Sequence, residues 1–284
     1  MMRVLVTGAG GMLGQDVVRA ARDAGDDVVA LVRAELDVSD GDAVAAAVAQ
    51  AAPDAVVNCA AWTDVDGAEA NREGAHAVNA VGAGNIACAA AAAGARLVHV
   101  STDYVFDGER PADAAPYVES DATGPRSVYG ASKLAGELAV GDAGGSHAIV
   151  RSSWLFGIGG RNFAATMLAL AADRDELTVV TDQVGCPTAT AHLAPALLEL
   201  ARGDAQGTFH VAAAGHCSWH DFAAEIFRQA GTGTRVLPCT TADMPRPAPR
   251  PAFSALASGR PETPVLRPWQ EGLSDYLIAR KVHA

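Results

Sequence analysis

Short apolar runs alternate with alanine-rich stretches of helix length along the first half of this 284-residue chain. The apolar runs lie at 3–7, 27–31, 55–59, 96–101 and 147–151, and the stretches between them at 11–24, 42–51, 67–93 and 128–140. Apolar residues that run on without alternation are typical of strands buried on both faces. The repetition of strand and helix therefore predicts an α/β fold, a Rossmann-type doubly wound parallel sheet.

Composition narrows the classes of function. Half of the residues are apolar and 19% are charged, as in an ordinary globular protein. The net charge of −12 argues against nucleic acid or an anionic membrane as a partner, because either would need clustered Lys and Arg. Five cysteines without a C-x-x-C pair, and an N-terminus without a signal-peptide pattern, predict reduced thiols in the cytoplasm.

The first chemical motif is the turn GAGGMLG at residues 8–14, which follows the first predicted strand and opens a helix. Its Gly8, Gly11 and Gly14 permit a tight turn and a close approach of backbone amides to a pyrophosphate at the helix N-terminus. A glycine-rich turn alone can be no more than a turn. Its position between strand and helix favours a dinucleotide site.

The regular pattern fades after about residue 155. We therefore expect an NAD(P)-binding Rossmann domain at 1–155 and a smaller, mainly substrate-binding domain at 156–284, with some segments returning to the first. Helices are expected at 162–172, 192–202 and 218–230, and a strand at 207–212. Ser218 and Asp221 form a predicted capping box. Prolines over 245–268 exclude a helix or a central strand there, and an ordered lid is favoured over a linker.

The residues after the second strand bear on the choice of cofactor. Arg33 stands where an acidic residue would otherwise hold the ribose of NAD, and it can pair with the 2′-phosphate of NADPH. The sequence thus favours NADPH, with NADH still usable, although a solvated surface arginine remains the alternative. Asp37 is a candidate for the loop that flanks the adenine.

A second motif, Tyr129 and Lys133, places a phenol and an ammonium on one face of a predicted helix. A nearby cation favours the phenolate, so Lys133 is expected to lower the pKa of Tyr129 and equip it to donate a proton to a carbonyl. Such pairs also occur by chance on surfaces. This one gains weight from Thr102, which ends the fourth strand where such sheets bind ligands.

Together these motifs resemble the extended short-chain dehydrogenase/reductase family. The match is closest to its branch that reduces dTDP-4-keto-6-deoxyhexoses in the last step of dTDP-L-rhamnose synthesis. It rests on NCAAWTDVDGAE at 58–69, STDYVFDG at 101–108, YG and KLAGE at 129–137, RSSW at 151–154, NF at 162–163, DQVGCPT at 182–188 and RPAFSAL at 250–256.

The resemblance implies three sets of site residues. The catalytic set is Thr102, Tyr129 and Lys133. The cofactor set is Gly8, Gly11, Met12, Leu13, Gly14, Arg33, Asp37, Val38, Ala61, Trp62, Thr63, Tyr129 and Lys133. The set facing the sugar nucleotide is Thr102, Asp103, Tyr104 and Trp154, where core packing is the alternative for Trp154. The motif at 182–188 receives no chemical role.

Departures from the family pattern keep other interpretations open. Some relatives hold magnesium with carboxylates at a dimer interface, and Ala191 stands at one such position, so no metal is expected. His216 and His220 have a spacing that suits a metal but lack a carboxylate pattern. A reductase of another dTDP-4-keto-deoxysugar and a non-catalytic NADP-binding regulatory subunit remain alternatives. The sequence leaves a homodimer open.

Overall fold

The computed structural model describes residues 1–111 and 113–283, with no side-chain description for the last of these. Its strands are β1 (Arg3–Thr7), β2 (Asp27–Leu31), β3 (Ala55–Asn58), β4 (Arg96–Thr102), β5 (His147–Ser152), β6 (Leu155–Phe156), β7 (Glu176–Val180), β8 (Val184–Gly185), β9 (Thr188–Ala189), β10 (Gly207–His210), β11 (Cys217–Ser218) and β12 (Arg235–Cys239).

Ten α-helices occur in the described residues: α1 (Met12–Asp23), α2 (Gly41–Ala51), α3 (Val65–Ala70), α4 (Arg72–His76), α5 (Gly82–Ala92), α6 (Val128–Asp142), α7 (Phe163–Ala171), α8 (Thr190–Arg202), α9 (Trp219–Ala230) and α10 (Trp269–His283). A π-helical turn, Ala77–Val81, joins α4 to α5. Two 3₁₀ turns lie at Asp103–Val105 and Thr241–Asp243. Within the described residues, no helix is long and apolar enough to cross a membrane.

Six parallel strands form the central sheet in the order β10-β5-β4-β3-β1-β2. Alternate side chains of each strand enter two different cores. Val4 and Val6 of β1 pack with α1 and α8, whereas Leu5 packs with α2 and α5. Because both faces are covered, the strands need apolar residues at every position, which confirms the predicted doubly wound parallel sheet.

The second half of the chain contributes to the central sheet and its helices, and it also forms a separate apolar core. Strand β10 joins the edge of the central sheet beside β5, and α8 packs against α1. The remaining strands form two-stranded pairs, β6 with β9, β7 with β12 and β8 with β11. A separate apolar core, which includes Phe156, Phe222 and Leu273, fills the space between α7, α9 and α10. The predicted capping box of Ser218 and Asp221 is confirmed at the start of α9.

The helix expected over 67–93 is not continuous. Asn71 leaves helical geometry with φ of −134°, and its side chain caps α4 by accepting from Gly74 N. The π-helical turn begins six residues later and contains the buried Asn79. Alanine-rich periodicity conceals these breaks, because two isolated Asn residues change an average propensity very little.

The proline-rich segment 245–268, called the strap below, contains neither helix nor ladder strand, as predicted. Isolated bridges join its Phe253 to Val184 and its Leu256 to Tyr117. Arg250 pairs with Asp66 of α3 at 2.9 Å. The strap is therefore an ordered segment that connects the second half of the chain to the carboxyl edge of the central sheet.

Candidate active site

The glycine-rich turn brings β1, β3 and α1 into close contact. Gly8 has φ of +66°, and a Cβ there would lie 2.6 Å from Ala60 N. A Cβ on Gly14 would lie 2.2 Å from Gly8 O, so a side chain at either position would separate the turn from its neighbours. Gly11 precedes the first residue of α1 and provides no side-chain cap. Free amides at a helix start beside a glycine cradle fit a dinucleotide pyrophosphate.

The residues expected along the cofactor follow successive strands at the same sheet edge. Met12 and Leu13 begin α1, Arg33 lies exposed two residues after β2, and Ala61, Trp62 and Thr63 follow β3. Asp37 accepts hydrogen bonds from the backbone and hydroxyl of Ser39, which lower the pKa of its carboxyl. Val38 is buried below it, where Asn85 Nδ2 donates to its carbonyl oxygen at 3.0 Å.

Asn79 fixes the loop after β3 to the helix that carries Tyr129. Its Oδ1 accepts from Trp62 N at 2.8 Å, and its Nδ2 donates to Trp62 O at 3.1 Å and to Ser132 Oγ at 2.9 Å. The π-helical turn makes this reach possible by displacing one residue from the regular ladder. Sequence analysis missed Asn79, although a buried amide within an alanine-rich run is a usable signal.

Helix α6 is anchored at its first turn by two neighbours. Ser127 Oγ accepts from Gly130 N at 3.0 Å, and Glu69 Oε1 of α3 accepts from Val128 N at 2.8 Å. A Cβ on Gly130 would lie 2.3 Å from Tyr104 O, so the helix approaches the segment after β4 at backbone distance. These contacts fix Tyr129, the second residue of α6, beside the end of β4.

The predicted catalytic residues come together in the structure. Thr102 lies close enough to the Tyr129 hydroxyl to lower the pKa of that phenol, and Tyr104 packs edge-on against the Tyr129 ring at 5.5 Å between centroids. Lys133 is buried one turn further along α6, where its Nζ donates to Val100 O at 2.7 Å. A phenol, a hydroxyl and an ammonium thus converge at the carboxyl end of β4.

Burial dominates the ionisation of this cluster. It raises the pKa of Tyr129 to about 12, against a smaller opposing effect of the hydrogen bond to Thr102. The expected lowering of this pKa by Lys133 is therefore wrong for the protein alone, because desolvation of the phenol is the larger effect. Burial also lowers the pKa of Lys133 to about 8, opposed by the carboxylate of Glu137.

Asp103 lies directly behind Thr102 and is 2% exposed. Thr102 Oγ1 and Ser153 Oγ each donate to its carboxylate at 3.1 Å. Burial raises the pKa of this carboxyl to about 6, while hydrogen bonds from Ser254, Thr102 and Ser153 oppose the rise. The carboxylate faces protein hydroxyls, so the contact of Asp103 with the sugar nucleotide that the resemblance implies stays a prediction.

A buried ion pair supports the sheet under Lys133. Arg151 of β5 donates to both carboxylate oxygens of Glu137 on α6 at 2.9 and 2.7 Å. Ser101 Oγ donates to the same carboxylate at 2.5 Å. The pair joins β4, β5 and α6, and sequence analysis gave it no role although its residues lie within quoted motifs.

The strap contributes a cation to the edge of the site. Arg250 Nη2 donates to Asp66 Oδ2 at 2.9 Å, while its Nη1 is buried without a hydrogen-bond partner among the described residues. The positive charge of Arg250 lies close enough to favour ionisation of Tyr104, which lowers the pKa of that phenol against the larger effect of burial. This nitrogen can donate to an anionic ligand group only after the side chains that enclose it move.

No group of three or more His, Cys, Asp or Glu in the described residues is arranged to hold a metal ion. His216 lies edge-on to Phe253, and His220 lies beside Asp221 at 3.4 Å. The two histidines have separate protein neighbours. Their spacing alone therefore does not define a metal centre.

Fold and site together define the extended short-chain dehydrogenase/reductase class. The chain belongs to the family described as RmlD substrate binding domain, whose model matches residues 2–281. It is 46% identical to the dTDP-4-dehydrorhamnose reductase of Mycolicibacterium smegmatis, over 98% of this chain and 85% of that protein.

Two further comparisons bear on cofactor and sugar. The crystal structure of dTDP-4-dehydrorhamnose reductase from Bacillus anthracis in complex with NADP matches with a TM-score of 0.94 and 38% identity, over 98% of this chain and 99% of that one. A probable dTDP-4,6-dihydroxy-2-methyloxan-3-one 4-ketoreductase of Streptomyces antibioticus is 42% identical, over 96% of this chain and 94% of that protein.

Proposed function

We propose that this chain reduces the C4 keto group of dTDP-4-dehydro-β-L-rhamnose to give dTDP-L-rhamnose, with NADPH as the reductant. The observation that carries the proposal is the convergence of Thr102, Tyr129 and the buried Lys133 at the carboxyl end of β4. The family match supports the substrate, and the relative solved with NADP supports the cofactor.

The chain's own residues supply the proton and the electrostatic help. Bound NADPH supplies a hydride, which adds to C4 of the keto sugar. Tyr129, with a pKa of about 12, stays protonated at neutral pH and donates its proton to the keto oxygen. The Thr102 hydroxyl donates to Asp103 in this structure and would turn its proton from that carboxylate to donate to the same oxygen. Lys133, with a pKa of about 8, remains largely cationic at neutral pH and lies one turn from Tyr129 on the same helix, where it would supply positive charge beside the phenolate that Tyr129 becomes.

Arg250 accounts for recognition of a charged substrate by an acidic protein. A nucleotide sugar carries an anionic diphosphate. The Nη1 of Arg250 is enclosed and has no hydrogen-bond partner among the described residues, and it would donate to one of the diphosphate oxygens once the side chains around it open on binding. Asp66 holds the other side of the guanidinium and so fixes its plane. We propose that the diphosphate completes the hydrogen bonds of this arginine.

The proposal also includes the cellular compartment in which the protein acts. The cysteines of the described chain are free thiols, Cys59, Cys88, Cys186, Cys217 and Cys239. Free thiols suit a reducing environment. We propose that the enzyme acts in the cytoplasm on a substrate made there.

One experiment distinguishes the proposed function from two others, the reduction of a different 4-keto sugar and the non-catalytic binding of NADPH. Purified dehydratase and epimerase convert dTDP-glucose to the 4-keto sugar, and this protein is then added with NADPH. The proposal predicts NADPH oxidation and dTDP-L-rhamnose only when the epimerase is present. Oxidation only without the epimerase would mean a D-configured 4-keto substrate, as in other deoxysugar pathways. Tight NADPH binding with no reduction of either sugar would instead favour a regulatory subunit.

A further inference from the structure

The backbone of Trp154 adopts a conformation that side-chain-bearing residues rarely take. Its φ is 48°, and among the described non-glycine residues only Ala52, at the end of α2, also has a positive φ. Trp154 follows Ser153, whose hydroxyl donates to Asp103 behind the catalytic threonine. A left-handed conformation next to a site persists only where the surroundings hold it.

The surroundings hold the indole of Trp154 by both faces. The ring of Trp219 lies parallel to it, with centroids 3.5 Å apart and planes inclined by 2°. The backbone of Gly185 packs against the ring as well, since a Cβ there would lie 2.4 Å from Cε2 and 2.5 Å from Nε1 of Trp154. Trp219 covers one face of the Trp154 indole. A Cβ of Gly185 on that face would also contact Trp219, but the atoms nearest to it all belong to Trp154. Gly185 therefore covers the opposite face.

Both contacts come from well-anchored backbone. Trp219 is the first residue of α9, which the box of Ser218 and Asp221 caps, and its amide donates to Gln183 O at 3.3 Å. Gly185 pairs with Cys217 in the ladder of β8 and β11. The motif DQVGCPT, which had no role from the sequence, thus delivers the Gly185 backbone to the indole.

With its faces covered, the indole offers a ligand only its edge. The edge of an aromatic ring carries positive partial charge, and in indole it includes an N–H donor, whereas the face is negative. An edge therefore suits oxygen atoms of a sugar and not an apolar methyl face. Stacking of the Trp154 ring on a methyl group of a deoxysugar would need a free ring face, and the indole has none.

We infer that Trp219 and Gly185 are positioning residues, which clamp Trp154 so that its indole edge selects the sugar by its oxygen atoms. The inference rests on the proposed function, because it takes a 4-keto sugar nucleotide as the ligand. It assigns Trp219, which lies outside the motifs shared with the family, a part in substrate selection. The clamp does not touch the reacting atoms.

Kinetics of W219A and W219F test the effect on the substrate. W219A is expected to raise KM for the 4-keto sugar nucleotide by roughly 10-fold or more, with kcat and the Kd of NADPH little changed. W219F retains an aromatic plane and is expected to restore most of the affinity. In a W154A background, W219A should have no further effect on KM, because the group it positions is gone. An equal loss from W219A with and without Trp154 would overturn the inference.

Circular dichroism reports the clamp without turnover. Two stacked indoles couple their transitions, so the wild type should show an exciton band that W219A and W154A both lose. W269F is the control, because Trp269 lies outside the pair and contacts Phe222 edge-on. A wild type that shows the band but reduces no keto sugar would count against the proposed function alone. An active W219A with unchanged KM, or one that keeps the band, would overturn the inference.

Discussion

The cofactor side and the substrate side of this site are built in different ways. The glycine turn, the loop after β3 and the start of α6 lie at one edge of the central sheet, and they are held by contacts between neighbouring strand–helix units, such as Gly8 with Ala60 and Asn79 with Ser132. The substrate side depends on distant pairs instead, such as Asp66 with Arg250, 184 residues apart, and the stack of Trp154 on Trp219. A cofactor site of the kind that belongs to the short-chain dehydrogenase/reductase class is thus combined with a sugar-binding surface that distant segments of the chain form.

The largest effect is expected from Tyr129→Phe, which removes the proton donor and leaves both sides assembled. Turnover should fall by ~10²–10⁴-fold, the usual contribution of a general acid. NADPH affinity and melting temperature should stay near the wild-type values, since the substitution removes only a hydroxyl and keeps the ring that packs against Tyr104. A folded variant with near-normal turnover would remove Tyr129 from the catalytic set.

Next in size is the loss of the buried pair under Lys133. Arg151→Met leaves Glu137 buried and unpaired, so the free energy of unfolding should fall by about 3–5 kcal/mol in urea denaturation. Arg228→Met is the matched control, because Arg228 pairs with Glu225 on the surface of α9, where about 0–1 kcal/mol is expected. Equal effects of the two substitutions would show that the Arg151 pair does not support the sheet.

Arg250→Met should weaken binding of the sugar nucleotide without changing the binding of NADPH. KM for the sugar nucleotide is expected to rise by roughly 10–100-fold, because a charged hydrogen bond is lost, whereas the Kd of NADPH should be unchanged. Arg246 lies exposed on the same strap, and Arg246→Met provides the control. Similar affinity of both variants for dTDP would contradict the diphosphate contact.

The smallest effect concerns Arg33 on the cofactor side. Arg33→Ala should lower the ratio of kcat/KM for NADPH over NADH by about 10-fold, through loss of one exposed contact to the 2′-phosphate. Comparison of the two cofactors in both proteins measures it. A strong NADH preference in the wild type that the substitution leaves unchanged would exclude the contact.

Whether a feature depends on nearby or on distant residues of the chain explains which features the sequence could predict. Strands β1 and β2 match their predicted bounds, because an unbroken apolar run bounded by turn residues is a local signal. The parallel pair of β7 and β12 was missed, since its partners lie about 59 residues apart and neither strand is fully buried. The helix break at Asn71 depends on one capping side chain, and a periodicity that extends over many residues does not reveal a single position.

Within the site, residue types were predictable and environments were not. Spacing places Tyr129 and Lys133 on one face of α6, but it does not show that the Lys133 ammonium reaches Val100 O or that burial raises the pKa of the phenol. Likewise, the resemblance implies that Trp154 faces the sugar nucleotide and leaves core packing as the alternative. Its covered faces depend on Gly185 and Trp219, which approach it only in the folded chain.

The most direct test of the proposed reaction follows the hydride itself. The 4-keto sugar made by the upstream dehydratase and epimerase is reduced by this protein with NADPH deuterated at the transferred position, and the product is analysed by NMR. The account predicts dTDP-L-rhamnose with deuterium at C4 of the sugar, and no such product with Tyr129→Phe on the same timescale. Deuterium at another carbon, or a product of different configuration at C4, would contradict it.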